Sequence, residues 1–208
     1  MNNILIIGDS FSADWTVKYP TAIGWPNLLA QKYNVTNLAQ AGVGEYKIYR
    51  QLCSVDDISK FDLTIISHTS PYRVNTICHP VHCNDLLHKN ADLIFSDVEN
   101  HAKSIFWYFN NSLNAALDFF KYHNDDEYQE TVYVLLKKQM ADMIGKNNSI
   151  VLTNMLVPDK YKTEKNFIDF KDLHLQHPGL ANHLSDLGNK IVYDSIIEKI
   201  ASIKGNKK

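Results

Sequence analysis

The sequence predicts an α/β fold: a three-layer α/β/α sandwich around a mostly parallel sheet. Three short apolar segments, 4–8, 33–38 and 61–67, support this prediction. Between each of them and the next lies a segment whose apolar residues recur at helical spacing. An alternation of strands and helices favours parallel strands that are joined by right-handed crossovers. The first segment begins Ile4-Leu5-Ile6-Ile7, and an unbroken aliphatic run is typical of a strand that is buried on both faces.

Apolar spacing also predicts the later elements of the chain. We predict helices over 21–30, 44–53, 92–120, 125–144 and 185–200, and a fourth strand over 149–155. Residues 158–171 are polar and are predicted to form a loop. An irregular segment around 68–91 is rich in His, Pro, Cys and Asn, and a loop of this length in a compact domain usually has a function. We find no repeat or linker, which predicts a single domain over 1–208.

The composition argues against several classes of function. The formal net charge is −2, and the one basic cluster is the short terminal segment 204–208, so no nucleic-acid partner is expected. No apolar run approaches the ~18 residues of a membrane span, and Asp9 interrupts the first apolar run, so neither a membrane partner nor a signal peptide is expected. Three cysteines fit reduced thiols in a cytoplasmic protein. A homo-oligomer is compatible with the sequence but not indicated by it, and no cofactor is expected.

Ser10 is the candidate nucleophile. It follows Gly8-Asp9 directly after the first predicted strand, and ligands of open α/β sheets bind beyond the carboxyl ends of the strands. A hydroxyl at this position has a backbone N–H beside it that can stabilise an oxyanion. A Gly-Asp-Ser sequence also forms ordinary turns, so the rest of the chain must supply the partners of this serine.

Two further strand ends supply candidate partners. Gly42 follows the second strand, and a glycine can bring its N–H close to a substrate because it has no Cβ. The third strand ends in a polar group in which His68, Thr69 and Ser70 can donate hydrogen bonds to a substrate. Arg73 follows them and could hold an anionic or sugar substrate. A plain turn with a solvated arginine is the alternative for this segment.

A nucleophilic serine needs a general base, and histidine is the residue type most often used. Among the nine histidines, the richest group lies in 172–189, which contains His174, His177 and His183. This segment opens onto the last predicted helix, and such a loop can return to the sheet edge that carries Ser10. The residues alone leave these three histidines as alternatives.

Three motifs together resemble those of the SGNH (GDSL-type) hydrolase family. Gly8-Asp9-Ser10 resembles the first block of the family, and Asn37 followed five residues later by Gly42 is similar to the second, whose glycine N–H donates to the oxyanion. His183 followed five residues later by Gly188 and then by a helix resembles the last block, in which the histidine is the general base. The order and spacing agree across nearly the whole chain. The resemblance implies a flavodoxin-like sheet, the SGNH hydrolase fold.

The last block departs from the pattern of the family in one respect. The resemblance makes His183 the preferred base, because it alone of the three histidines has a glycine at the family's spacing. The family places an Asp three residues before this histidine, where the chain has Leu180. The acid that orients the imidazole is therefore expected from Asp172 or Asp169, or a carbonyl oxygen replaces it.

The third block departs as well. The family supplies an Asn side chain to the oxyanion hole there, and this chain has His68-Thr69-Ser70 instead. Loss of one oxyanion donor typically costs about 2.7–4 kcal/mol of transition-state stabilisation. A substitute donor is therefore expected among these three residues.

A cluster of Cys78, His79, His82 and Cys83, with His88 nearby, contains zinc ligand types. Four ligands this close together on one loop would strain a tetrahedral site, and no second ligand pair lies at zinc-finger spacing. We therefore expect no metal site here. We expect instead that this loop covers the active site and influences the choice of substrate.

The resemblance implies a serine esterase that cleaves a small acyl ester through an acyl-enzyme on Ser10. The expected substrate is a small-molecule or glycan ester, such as an O-acetylated carbohydrate. Two alternatives use the same residues. One is a carbohydrate O-acetyltransferase, in which a sugar hydroxyl replaces water. The other is a catalytically degenerate domain that binds carbohydrate or a partner protein, which the missing Asn and Asp motivate.

Overall fold

The computed structural model describes residues 2–103, 110–153, 162, 166–180 and 183–205. The strands are β1 (Asn3–Gly8), β2 (Asn34–Asn37), β3 (Leu63–His68), β4 (Ser149–Thr153) and β5 (Phe167–Asp169). The α-helices are α1 (Trp25–Ala30), α2 (Glu45–Cys53), α3 (Phe95–Ala102), α4 (Asn111–Tyr122), α5 (Asp126–Ile144), α6 (Leu173–Gln176) and α7 (Asp186–Gly205), and 3₁₀ turns lie at Trp15–Val17 and Ile58–Lys60. No helix in the described part of the chain is both long and apolar enough to cross a membrane.

The five strands form one parallel sheet in the order β2-β1-β3-β4-β5. This order confirms the predicted flavodoxin-like arrangement. β1 lies between β2 and β3, with Gly8 opposite Ser67 of β3. Because the sheet is parallel, the carboxyl ends of β1, β2 and β3 meet at one edge, where the predicted site residues follow them.

Helices cover both faces of the sheet, which confirms the three-layer sandwich. Alternate residues of β1 point to opposite faces: Ile4 and Ile6 pack toward α1 and α7, and Leu5 and Ile7 pack toward α2 and α5. All four side chains are fully buried, and burial of each contributes about 1.5–3 kcal/mol to stability. The apolar run of β1 is therefore anchored from both sides.

Three predicted segments were wrong in their bounds or type. The helix predicted over 92–120 is two helices, because α3 ends at Ala102 and the side chain of Asn110 caps a new start for α4; its residues 104–109 lie outside the described residues. The predicted loop over 158–171 contains the edge strand β5, which is short and only half-buried and so lacks a long apolar run. The helix predicted from residue 21 begins at Trp25, because Gly24 forms its N-cap and Pro26 lies in its first turn.

We expect truncation of Ile65 in β3 to destabilise the sandwich strongly. This side chain is fully buried in the core between the sheet and α1 and α7, so Ile65→Ala should lower the free energy of unfolding by about 2–5 kcal/mol. Urea denaturation measures the change. The control Leu135→Ala lies on α5, where the side chain is 60% exposed, and should change stability by no more than about 0.5 kcal/mol. Equal effects of the two variants would contradict the assignment of the core.

Candidate active site

The candidate nucleophile Ser10 lies just past the carboxyl end of β1 and is buried. The chain passes very close to its neighbours at Gly8: a Cβ there would lie 2.4 Å from Ser12 Oγ and 2.6 Å from Ser67 Cβ. Only glycine fits at this position without displacing the turn or β3. Gly8 is therefore required by packing, and the close approach that it permits places Ser10 at the edge of the sheet.

Gln51 of α2 holds the backbone of Gly8 from the other side. Its Oε1 accepts the Gly8 N–H at 2.8 Å, and its Nε2 donates to the Gly8 carbonyl at 3.1 Å. No role for this residue was predicted from the sequence. Gln51 is a polar residue close to the apolar face of the predicted helix, which carries Ile48 and Leu52. A buried amide must find hydrogen-bond partners, so this position could have indicated a structural role.

The carbonyl groups that follow Gly8 are also taken up by side chains. The indole Nε1 of Trp15 donates to the Ser10 carbonyl at 2.7 Å, and the Nε1 of Trp25 donates to the carbonyl of residue 11 at 2.8 Å. Asn37 Nδ2 donates to the Ser12 carbonyl at 2.8 Å. Each such bond contributes about 0.5–1.5 kcal/mol net. The turn is therefore fixed from three segments, while the Ser10 N–H has no acceptor among the described residues.

Gly42 offers a second candidate oxyanion donor. It follows β2 with a φ of +79°, and a Cβ there would lie 2.7 Å from the Cβ of Ala91, so its left-handed backbone requires glycine. Its carbonyl accepts Arg73 Nη1 at 2.7 Å and the N–H of Asp92 at 2.9 Å. Its N–H has no acceptor in the described part of the chain. The backbone N–H groups of Ser10 and Gly42 are thus both available to an oxyanion.

Arg73, which could hold a substrate according to the sequence, is directed at the backbone of Gly42 in the structure. It donates to the Gly42 carbonyl, and its Nε is buried without a hydrogen-bond partner. Burial lowers the pKa of this guanidinium from its usual value, and the carboxylates of Asp9, Asp92 and Asp97 oppose the shift. Arg73 does not line the cavity that contains Ser10.

The three residues after β3 differ in what occupies their polar atoms. His68 Nδ1 lies 2.5 Å from Glu45 Oε1, and both side chains are buried. The Ser70 hydroxyl accepts the N–H of Tyr72 at 3.3 Å. Thr69 is fully buried, and its Oγ1 has no hydrogen-bond partner within the described ranges. Of the three predicted substitute donors, Thr69 alone has a buried hydroxyl that is not engaged.

Asp9 is buried directly beside the nucleophile. Its Oδ1 accepts the Phe11 N–H at 3.1 Å and the Ser67 hydroxyl at 3.4 Å. Burial raises the pKa of Asp9 from 3.8 to about 6. The Arg73 charge, the hydrogen bond from Phe11 and the Thr69 hydroxyl, which is close to the carboxylate without an aligned hydrogen bond, oppose this shift. The two hydrogen bonds to Oδ1 brace the turn that carries Ser10.

Two backbone hydrogen bonds within a tight turn fix the position of His183. The Gly179 N–H donates to the His183 carbonyl at 2.7 Å, and the His183 N–H donates to the carbonyl of Leu180 at 3.0 Å. Gly188 lies in the first turn of α7, and a Cβ there would lie 3.0 Å from the Cβ of His177. The glycine five residues after His183 thus lets the helix start close to this turn.

Ser10 and His183 line one cavity of about 540 Å³. The His183 ring packs between the rings of Phe11 and Trp15, with centroid distances of 4.7 and 4.4 Å. Half of the other described lining residues are apolar or aromatic: Ala13, Tyr19, Ala22, Ile23, Leu180 and Leu184. The structure therefore brings the predicted nucleophile and base to a shared cavity, although they lie near opposite ends of the chain.

The other predicted candidates lie outside this cavity. His174 lies on α6 with its ring 5.8 Å from that of Phe11, and His177 packs on the start of α7. Asp172 is exposed in a left-handed conformation with a φ of +65°. Asp169 accepts hydrogen bonds from Lys162 and from the backbone N–H of residue 171. In the described part of the chain no hydrogen bond joins either carboxylate to the preferred base, so the orienting acid stays a prediction.

Comparison with solved structures identifies the architecture. The psychrotrophic esterase EstA from Pseudoalteromonas sp. is 13% identical and similar over 99% of this chain and 100% of its own, with a TM-score of 0.51. This chain has the SGNH hydrolase fold. A lipase/acylhydrolase from Enterococcus faecalis (13% identity, 96% of this chain and 95% of its own, TM-score 0.48) and an acetyl xylan esterase, AlAXEase (15%, 94% and 98%, 0.40), are also similar. No family model matches the sequence, and no curated protein matches it significantly.

The raised pKa of Asp9 predicts a specific dependence of stability on pH within this SGNH fold. The folded protein binds this proton more tightly than the unfolded chain, since the pKa is about 6 folded and 3.8 unfolded. The ionised carboxylate therefore costs about 3 kcal/mol above pH 6, and the cost is relieved as the pH falls from about 6 to about 4.

The variant Asp9→Asn keeps an acceptor at Oδ1 but has no titrating group. We expect the stability of the wild type relative to this variant to rise by about 2.4 kcal/mol between pH 7 and pH 4. Urea denaturation of both proteins at several pH values measures the difference, in which the other titrating groups largely cancel. A difference that stays constant over this range would contradict the burial of an ionisable Asp9.

Proposed function

We propose that this protein is a serine ester hydrolase with Ser10 as its nucleophile and His183 as its general base. The observation that carries the proposal is the single cavity that both Ser10 and His183 line. The N–H groups of Ser10 and of Gly42, which follows the neighbouring strand β2 and does not line this cavity, have no acceptor among the described residues. A nucleophile, a base and oxyanion donors are the parts that acyl transfer requires.

The reaction proceeds in two steps. His183 removes the proton of the Ser10 hydroxyl as Oγ attacks the ester carbonyl, and the carbonyl oxygen becomes an oxyanion held by the N–H groups of Ser10 and Gly42. The protonated imidazole then gives its proton to the leaving alcohol, and an acyl-enzyme remains on Ser10. Water, activated by the same histidine, attacks the acyl group and releases the acid.

Thr69 is the proposed third oxyanion donor. Its hydroxyl is buried and not engaged, whereas His68 is paired with Glu45 and the Ser70 hydroxyl accepts a backbone N–H. The register pairs Gly8 with Ser67, so Ser10 and Thr69 follow neighbouring strands at the same level of the sheet. One such donor is worth about 2.7–4 kcal/mol in the transition state.

The substrate is proposed to be a neutral ester of a small acyl group, with O-acetylated carbohydrate as the expected class. The cavity wall supports the neutral charge, because its described lining residues include one carboxylate, Asp186, and neither Lys nor Arg. The aromatic side chains of Trp15 and Tyr19 offer apolar faces on which a sugar ring can stack.

Labelling with a fluorophosphonate tests the proposed nucleophile. We expect wild-type protein to be labelled covalently, and Ser10→Ala to be labelled not at all, because the phosphonyl group forms its bond with Oγ. His183→Ala should lower the rate of labelling by about 10³-fold or more, since the base acts together with the nucleophile. His177→Ala, which removes the alternative base, should stay within a few-fold of wild type.

Mass spectrometry of the labelled peptide gives the site, and the melting temperature of each variant verifies its fold. Absence of labelling in folded wild-type protein would overturn the proposal and favour the degenerate binding domain. Labelling of wild type that His177→Ala abolishes and His183→Ala does not would reassign the base. Release of acetate from an acetylated oligosaccharide, compared with transfer of acetyl to a sugar acceptor, then separates hydrolysis from O-acetyl transfer.

A further inference from the structure

A second group of ionisable side chains lies away from the cavity, where the loop around 68–91 meets the first turn of α3. It consists of His79, His82 and Asp97, which we call the loop–helix cluster. One ligand atom from each of the three residues lies within 4.8 Å of the other two. His101, one turn along α3, has its Nε2 3.5 Å from the other carboxylate oxygen of Asp97.

Two of the three distances within this cluster are close to those of a tetrahedral metal site. Nε2 of His79 lies 3.2 Å from Asp97 Oδ2, and Nε2 of His82 lies 3.1 Å from the same oxygen. Zinc binds histidine nitrogen and carboxylate oxygen at about 2.0–2.2 Å, which puts neighbouring tetrahedral ligands about 3.3 Å apart. Each histidine nitrogen therefore lies at nearly the separation from Asp97 that a bound zinc ion would impose, and the third pair is within 4.8 Å.

The buried ring nitrogen Nε2 of His79 gives an independent indication of a ligand at this cluster. Its side chain is 1% exposed, and its Nε2 is buried without a hydrogen bond from any described residue. The nearby oxygen of Asp97 does not satisfy it, because the ring nitrogen is not aligned with that oxygen. A buried polar atom left unpaired is destabilising, and such atoms in native proteins usually have a water or an ion as partner.

We propose that the loop–helix cluster binds one divalent transition-metal ion of the zinc type. Nε2 of His79, Nε2 of His82 and a carboxylate oxygen of Asp97 are the three protein ligands, and water completes the tetrahedron. Imidazole and carboxylate are ligand types that zinc accepts. The ion is structural: it ties the loop to α3 and does not enter the ester chemistry.

The earlier expectation of no metal rested on ligands that all came from one short loop. Asp97 removes that objection, because it comes from α3 and approaches the two histidines from another element. The cysteines of the loop are not needed: Cys78 is exposed, and its Sγ faces the carbonyl of His79 at 3.8 Å. The sequence pattern therefore contains two of the three proposed ligands, His79 and His82. Its two cysteines, Cys78 and Cys83, are not part of the proposed site.

Metal binding requires a defined change at His79. Its Nδ1 accepts the N–H groups of Val81 and His82 at 3.2 and 3.3 Å, so the neutral ring of the metal-free protein carries its proton on Nε2. A metal ion on Nε2 moves the ring proton to Nδ1, and these two long hydrogen bonds must open. The turn over 80–82 is therefore the part of the loop that the ion rearranges, and opening it lowers the affinity.

The test uses the untagged full chain, stripped with a chelator and titrated with zinc chloride against a chromophoric zinc indicator. We expect one zinc ion per chain, and about 100-fold weaker binding in His82→Ala and in Asp97→Asn, since even residues behind the ligands change metal affinity by 10–100-fold. His123→Ala is the matched control, because this histidine is exposed at the C-terminal end of α4 and does not belong to the cluster; it should bind like wild type. Cys78→Ser with Cys83→Ser should also bind like wild type.

A spectroscopic readout on the wild type keeps the test independent of the folding of variants. In ¹⁵N-labelled protein, zinc should convert His79 from the Nε2–H to the Nδ1–H tautomer and shift the amide signals of Val81 and His82. Absence of stoichiometric binding, retention of binding in folded His82→Ala, or loss of binding in the cysteine variant would each overturn the proposal. Fluorophosphonate labelling of Ser10 is expected with and without zinc, so failure here leaves the proposed esterase untouched.

Discussion

The pairing of the Gln51 amide with the backbone of Gly8 is the interaction on which the candidate site depends. β1 makes its last described pair with β2 at Ile6, and beyond that pair the Gly8 carbonyl still accepts the Gln40 N–H at 3.1 Å. The Gln51 amide accepts the Gly8 N–H at 2.8 Å and adds a second donor to the Gly8 carbonyl at 3.1 Å. Without it, the buried Gly8 N–H would be unpaired two residues before the candidate nucleophile, at a cost of about 1–3 kcal/mol.

Buried charge is the second constraint on this edge of the sheet. Asp9 and Glu45 are buried, Arg73 is half-buried, and neither Asp9 Oδ2 nor the buried Arg73 Nε has a hydrogen-bond partner in the described part of the chain. Burial of this kind lowers stability unless other groups compensate. The apolar packing on both faces of β1 supplies that compensation, so the site is stabilised by the core rather than by its own contacts.

The sequence predicted the sheet and its helical layers, because both follow from apolar periodicity. It also predicted where Ser10, Gly42 and His183 lie, because they belong to motifs with glycines that the packing requires. It could not predict what each polar side chain contacts. Arg73 was expected to face a substrate and instead donates to a backbone carbonyl, and His68 was expected near the oxyanion but pairs with Glu45. Both outcomes depend on contacts between segments that are distant in sequence, which spacing does not encode.

Trp15 connects the two halves of the candidate site. Its indole nitrogen holds the carbonyl of Ser10, and its ring packs against His183. One side chain therefore sets the position of both the nucleophile and the base, and it also forms part of the cavity wall. Any ligand that displaces this ring must shift Ser10 and His183 together, so the intrinsic fluorescence of Trp15 reports occupancy of the cavity. Under the proposed function, selection cannot change the cavity wall at Trp15 without also changing the alignment of these two residues.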